Sequence, residues 1–475
     1  MTRMSGIALA SAIRQRRVSA RTVVEAHVAV LESTQPRTNA LAVPRFEAAL
    51  SEADEADARI LRAGNDDDLP DLLGVPCTIK EMIGVEGMPH TAGLLSRRHH
   101  RAARTAPAAQ RLLDAGAIVL GQTNVAELGI WIESNNRVYG LTRNAYDQRR
   151  TAGGSSGGEG VAVGVGGSPV GLGSDMGGSI RIPAFFNGVF GHKPSSGLVP
   201  NTGMFPDAIG DVGRLLTIGP ITRYAEDLMP LLRIVAGPDG HDPFTRSLAL
   251  GDPACVSIQG LTVTVSEKTT YLPASRDVRD ARECAVEALA AAGAHIRRVP
   301  LRSVRRATEA FLATSAEVGG SLEEIITKAG SPPLTVKAIL RRTGGHNLMT
   351  LLAIVGERLP GTDRRMRRAQ AAGKALREEI TAVIGDGVLL HPPFARTAPR
   401  LHTTTIRPWL QTPCSVFNLA GVPVTQVPLG LNSRGLPLGV QVAAGHGQDH
   451  LTIAVAQHLE RTLAGWVPPP QSSGT

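Results

Sequence analysis

The chain has 475 residues, 42% of them hydrophobic and only 3% aromatic, enough for a large core of Ala, Val, Leu and Ile but too few rings for a module that stacks nucleic-acid bases. Its formal charge of +8 comes almost wholly from arginine, since only six residues are lysine, and the one dense cluster, RRMRR at 364–368, reads as a solvated helix face rather than a phosphate or anionic-membrane patch. No nucleic-acid partner is expected, and without any apolar run of about 18 residues no membrane span is predicted.

At the N-terminus, MTRMSGIALASAIRQRR carries one Arg before a short apolar stretch and an Ala-Ser-Ala, a pattern too short and too mixed for a secretory signal. Beyond it, Val23, Val24, His27, Val28 and Leu31 recur at helical spacing behind Ser19, a plausible N-cap, and predict a surface helix. GVPCTIKEMIGV is a short apolar run bounded by Gly and Pro, followed by a predicted helix around APAAQRLLDAGA and a strand at IVLGQTN. The pattern returns with LTVTVS as a strand, RDVRDARECAVEALAAAGA as an amphipathic helix and HIRRVPL as the next strand. Residues 301–385 are more helical and more charged, after which FNLAGVPVTQVPLGL and LPLGVQVAA read as strands. Such alternation predicts an α/β fold with much of its sheet buried between helices. No Pro/Ser linker or fixed-period repeat divides it, so one large domain over 1–475 is expected, with a frayed Pro-rich tail at 467–475.

The cysteines, Cys77, Cys255, Cys284 and Cys414, stand far apart with no CxxC pair and no His at metal-ligand spacing, which predicts a reducing, cytoplasmic setting without structural zinc. His99 and His100 are adjacent rather than helix-spaced, and HExxH is absent. No metal and no cofactor is expected.

TAGGSSGGEG, residues 151–160, has the composition of a flexible linker, yet it runs straight into VAVGVGGSPVGLGSDMGGSIRIPAFFNGVFGHKPSSG, which adds a buried-looking apolar face. Glycine admits positive φ and close backbone approach, so two Gly-Gly-Ser knots predict tight turns that present hydroxyls. Phosphate cradles are excluded, since neither GxxxxGK[ST] nor GxGxxG after a strand is present. Gly153, Ser155 and Gly157 fit the GxSxG elbow of Ser-His-Asp hydrolases, but that elbow needs an apolar strand before it and LTRNAYDQRRTA is polar. The other serine chemistry uses a desolvated lysine as base, because burial can lower an ammonium pKa by several units. Lys80, inside an apolar run, suits that role; Lys193, among turn formers in FGHKPSSG, reads as structural, and periodicity does not settle the choice.

From Gly74 to about Pro220 the chain resembles the amidase signature family, whose core reads GGSSGG followed by GSDxGGSIRxPA, here Gly153–Gly158 and Gly173–Ala184. Within it GGSSGGEG, GSDMGGSIRIPAFFNGVFGHKPS, GLVPNTGMFP and the distant GLPLGVQVAAGHGQDHLTIAVAQHLE are similar to the fatty acid amide hydrolases of the second type, without a membrane anchor. The resemblance implies a mixed central sheet with helices on both faces and a Ser-Ser-Lys triad: Lys80 as base, Ser155 after a cis peptide bond as relay, and Ser179 as nucleophile. It implies an oxyanion hole from Met176, Gly177 and Gly178, and bracing roles for Ser156, Asp175 and Arg181. Position 174 is Ser where many relatives carry Thr, which keeps the hydroxyl. The implied activity is hydrolysis of a small-molecule carboxamide, on fatty or aryl amides, through an acyl-enzyme. The alternatives are a Ser-His-Asp esterase, in which a downstream His such as His192 would matter, and an amidotransferase-like subunit of a complex. A homodimer is compatible with the sequence. Ile130, Trp131, Phe185 and Phe186 read equally as acyl-pocket lining or as core.

Overall fold

Among the described residues, short β-branched and apolar runs between glycine-rich turns build eleven strands into one sheet. The computed structural model describes residues 1–64, 68–267, 273–332, 334–335, 345–358, 363–405 and 407–470. Along the chain the strands are β1 (Leu41–Pro44), β2 (Pro76–Lys80), β3 (Ile118–Thr123), the short pair β4 (Asn135–Asn136) and β5 (Gly140–Leu141), β6 (Val170–Asp175), β7 (Phe190–Lys193), β8 (Thr217–Thr222), β9 (Thr262–Ser266), β10 (His295–Val299), β11 (Val388–His391), β12 (Val424–Leu431) and β13 (Pro437–Ala444). The large sheet runs β1-β3-β2-β6-β8-β7-β12-β13-β11-β9-β10, with β4 and β5 pairing apart from it.

The sheet is mixed. β2 lies parallel to both β3 and β6, β6 through β13 continue antiparallel, and β11, β9 and β10 close the far side in parallel. Every residue of β2, β3, β6 and β8 is buried, so helices cover both faces of this block, as parallel strands require. The three parallel strands end together at Lys80, Thr123 and Asp175, and carboxyl ends of such strands are where α/β sheets commonly bind ligands.

The predicted helix behind Ser19 spans Ala20–Thr38, with the Ser19 hydroxyl accepting from the Thr22 amide at 3.0 Å and Val23, Val24, His27, Val28 and Leu31 all buried. The N-terminal apolar stretch is a helix of its own, Gly6–Arg14, whose first amides, Gly6 and Ile7, donate to the Asp227 carboxylate at 2.9 Å each. RRMRR opens the helix Asp363–Ile384, with Arg364, Arg367 and Arg368 exposed. Phe417–Ala420, read as strand from its apolar run, instead ends the helix Thr412–Ala420: Pro413 fits its first turn, and Gly421 caps it at φ 72° in the left-handed region. The expected frayed tail lies partly outside the described residues, at 471–475. Before it, Trp466 donates to the Gly164 carbonyl at 3.0 Å and Val467 accepts from the Tyr146 hydroxyl at 2.5 Å. Among the described residues no helix is long and apolar enough to cross a membrane.

Candidate active site

Lys80 closes β2 with its side chain wholly buried. Its Nζ lies 2.7 Å from Ser155 Oγ and 2.9 Å from Ser174 Oγ, the first on the glycine-rich loop and the second on neighbouring β6. Burial lowers its pKa from 10.5 to about 7, against the opposing pull of Asp175 and Glu159. An amine in that range exchanges protons readily at neutral pH, whereas an exposed lysine stays charged.

The glycine-rich loop is clamped rather than flexible. Gly153 has φ 88°, the Gly154–Ser155 peptide is cis, and a Cβ on Gly154 would stand 2.6 Å from the Trp131 carbonyl. The Ser155 carbonyl accepts from the Ala126 amide at 3.2 Å and the Ser134 hydroxyl at 3.1 Å. The last four residues of the stretch 151–160, expected to form turns, instead open the helix Gly157–Gly164. Its glycines serve close packing: the Gly158 amide donates to the Asn124 carbonyl at 3.0 Å, and a Cβ at Gly158 would come within 2.6 Å of that oxygen.

Ser156 ties this loop to the second one. Its amide donates to the Ser179 carbonyl at 3.3 Å and its hydroxyl to the Ser174 carbonyl at 3.3 Å. Asp175 then organises residues 176–181, accepting from the Gly178 amide at 2.8 Å, the Ile180 amide at 3.0 Å, the Arg181 amide at 3.4 Å and the Arg181 guanidinium at 2.9 and 3.0 Å. Burial alone would raise the Asp175 pKa, but Arg181 and Asn418 hold it well below the usual carboxylate range. The remaining amides of this turn, those of Met176, Gly177 and Ser179, have no acceptor among the described residues. Ser179 itself is half-buried, whereas Ser155, Ser156 and Ser174 are buried.

Hydrogen bonds thus join Lys80, Ser155, Ser174 and Ser156, and the Ser156 amide reaches the Ser179 carbonyl. The Asp175–Arg181 pair follows directly after Ser174 in the chain and braces the turn that carries Ser179, whose hydroxyl has no hydrogen-bond partner among the described residues. Lys193 is buried elsewhere along β7, where its Nζ donates to the Pro194 carbonyl at 2.6 Å. His192 bonds Thr425 at 2.9 Å and Asp449 at 3.1 Å, and Asp449 in turn accepts from Ser195 at 2.6 Å. In that arrangement the serine reaches the carboxylate rather than the imidazole, so the trio does not form a nucleophile-base pair. Phe185 and Phe186 are fully buried against one another and Phe394, which assigns them to the core. Ile130 and Trp131 are half-buried in the loop that also brings Gly129 beside the Ser155 hydroxyl.

Several contributing residues carried no local signal. Asn418 and Gln441 receive the Arg181 guanidinium at 2.6 and 2.7 Å from segments read only as apolar strand, and Phe311 covers Gly177, where a Cβ would stand 2.8 Å from its ring. Ser174 had a hint in its retained hydroxyl.

The Amidase family profile matches residues 22–453. The chain belongs to the amidase signature family. This amidase is 37% identical to fatty-acid amide hydrolase 2 of Homo sapiens over 98% of its own length and 90% of the relative's, and 39% identical to fatty-acid amide hydrolase 2-B of Danio rerio over the same shares. Its fold is similar to that of a bacterial aryl acylamidase of the family, with a TM-score of 0.84 and 25% identity over 96% of both chains. It is therefore an amide-hydrolysing enzyme on a single-domain α/β scaffold.

Proposed function

We propose that this amidase cleaves carboxamides through Ser179 as nucleophile, Ser155 as relay and Lys80 as base. The observation that carries the reading is the buried Lys80 amine 2.7 Å from the Ser155 hydroxyl. A neutral Lys80 can donate to Ser174 while its lone pair accepts the Ser155 proton. Ser155 takes the proton of Ser179 at the same time, so Ser179 Oγ attacks the amide carbonyl as an alkoxide in the making. The tetrahedral oxyanion then meets the amides of Met176, Gly177 and Ser179, while that of Gly178 is engaged by Asp175. Loss of one such donor typically costs roughly 3 to 4 kcal/mol of transition-state stabilisation. The same proton returns through Ser155 to the nitrogen as the C–N bond breaks, because an amide anion is too poor a leaving group to depart unprotonated. Water repeats the sequence on the acyl-enzyme and releases the acid. Ser156, Asp175 and Arg181 hold the two loops in register and touch no reacting atom.

For the substrate, the apolar surroundings of the turn, with Phe311 over Gly177 and half-buried Ile130 and Trp131 nearby, favour a fatty or aryl acyl group. The names of the relatives point the same way. Treating the purified protein with a fluorophosphonate probe tests the chemistry: labelling that vanishes in Ser179→Ala and weakens in Lys80→Ala is expected. Undiminished labelling in Ser179→Ala would overturn the assignment and turn attention to Ser155. Turnover of short against long acyl amides by the active form tests the substrate class.

A further inference from the structure

Glu159 is a second carboxylate beneath the same strand end, and the reaction above does not use it. It sits in the helix Gly157–Gly164, directly after the serine loop, and is fully buried. The Thr78 hydroxyl donates to Oε1, and the Thr123 hydroxyl donates to Oε2 at 2.5 Å. Both threonines are tied to Lys80 by the sheet: Thr78 precedes it by two residues on β2, hence on the same face, and Thr123 is its register partner on β3. On the third side the carboxylate lies against Gly171 of β6, where no side chain would fit. Three strands and a helix therefore surround a buried carboxyl group on the face of the sheet that carries the Lys80 amine.

The other charged groups around Lys80 have partners of their own, and among the described carboxylates Asp175 and Glu159 are the two that act on its charge. Asp175 is paired with Arg181 and also feels Lys193. Glu81 accepts from Thr91, Ala92 and Tyr139, and Arg45 is paired with Glu52 beyond Cys77, a thiol that burial keeps neutral. Glu159 has hydroxyl partners and no ion pair among the described residues. Lys80 in turn feels its charge, and it feels that of Lys80.

We infer that Glu159 is a positioning residue that offsets the positive charge Lys80 acquires when it takes the Ser179 proton, and so sets the strength of the base. No proton passes to Glu159 in the step; its contribution is electrostatic. The inference rests on the reading of Lys80 as base. A carboxylate withdrawn from water acts on a nearby ammonium far more strongly than one at the surface. Burial raises the Glu159 pKa to about 7, while the hydroxyls of Thr123 and Thr78 and the charge of Lys80 oppose that rise and favour the ionised form.

The test is the pH profile of kcat/KM on an amide for the wild type, Glu159→Gln, Thr123→Val and Lys80→Ala. With the anion removed, Lys80 becomes a weaker base, so in Glu159→Gln the acid limb moves to lower pH by about half to one unit. The plateau falls about tenfold through kcat, with KM little changed. Thr123→Val, which keeps the carboxylate but removes one donor, gives a smaller shift in the same direction and carries the test if Glu159→Gln does not fold. A profile superimposable on that of the wild type, or displaced to higher pH, overturns the inference. Wild-type turnover in Lys80→Ala would remove the lysine-base reading and this inference together, whereas an inactive Lys80→Ala beside an unchanged Glu159→Gln removes only the role of Glu159.

Discussion

Lys80 Nζ stands 2.7 Å from Ser155 Oγ with both side chains withdrawn from water, Lys80 at 0% and Ser155 at 2% exposure. Because burial brings the amine to about 7, the base is competent only when deprotonated. The rate of fluorophosphonate labelling at Ser179 is expected to rise with pH through about 7 and level off above it. A labelling rate flat from pH 5 to 9 would argue against a titrating base.

The same desolvation makes Lys80 a stability liability. Its pKa is about 7 folded against 10.5 for the free side chain, so between those values the unfolded chain binds more protons and wild-type stability rises with pH. The penalty is full below about 7 and gone above about 10.5. Lys80→Met, inactive, is expected to be more stable than the wild type by roughly 2 kcal/mol at neutral pH, after allowance for the hydroxyls it strands. The gap should narrow as the pH is raised, which thermal unfolding across pH 6 to 10 would read.

Asp175→Asn leaves the Arg181 guanidinium buried without its counter-charge and removes a carboxylate that collects three backbone amides. Breaking a buried pair from one side costs roughly 3 to 5 kcal/mol. Urea unfolding should register that loss, and probe labelling of Ser179 should fall with it because the turn bearing Ser179 loses its organiser.

His192→Asn tests the competing chemistry. His192 braces β7 against β12 and Asp449, so the substitution is expected to lower stability by roughly 1 to 3 kcal/mol while kcat/KM on an amide stays within about twofold. Loss of turnover in protein that remains folded would restore a histidine-based mechanism.

Two glycines should respond oppositely to alanine. At Gly158 a Cβ would meet the Asn124 backbone, which cannot step aside, and the cost is expected to reach about 3 kcal/mol. Gly356, in the helix Leu348–Arg358, has nothing within 4 Å of the place a methyl group would occupy, so Gly356→Ala should gain up to about 1 kcal/mol from helix propensity. Chemical denaturation of the two variants makes the comparison.

What the sequence by itself determined was local chemistry and period. The Ser19 cap, the helical spacing from Val23 to Leu31, and the strands at Pro76–Lys80, Ile118–Thr123 and Thr262–Ser266 all follow from neighbours a few residues apart. The anomaly of a lysine in an apolar run singled out Lys80, and contiguous motif residues marked both serine loops. Tertiary structure alone decided what distant segments supply. Asn418 and Gln441 hold Arg181 across more than 230 residues of chain, and Glu159 reaches Thr78 and Thr123 only because β2 and β3 pair in one register. Local pattern cannot report these contacts, because a buried polar group is satisfied by whatever partner the sheet order brings beside it.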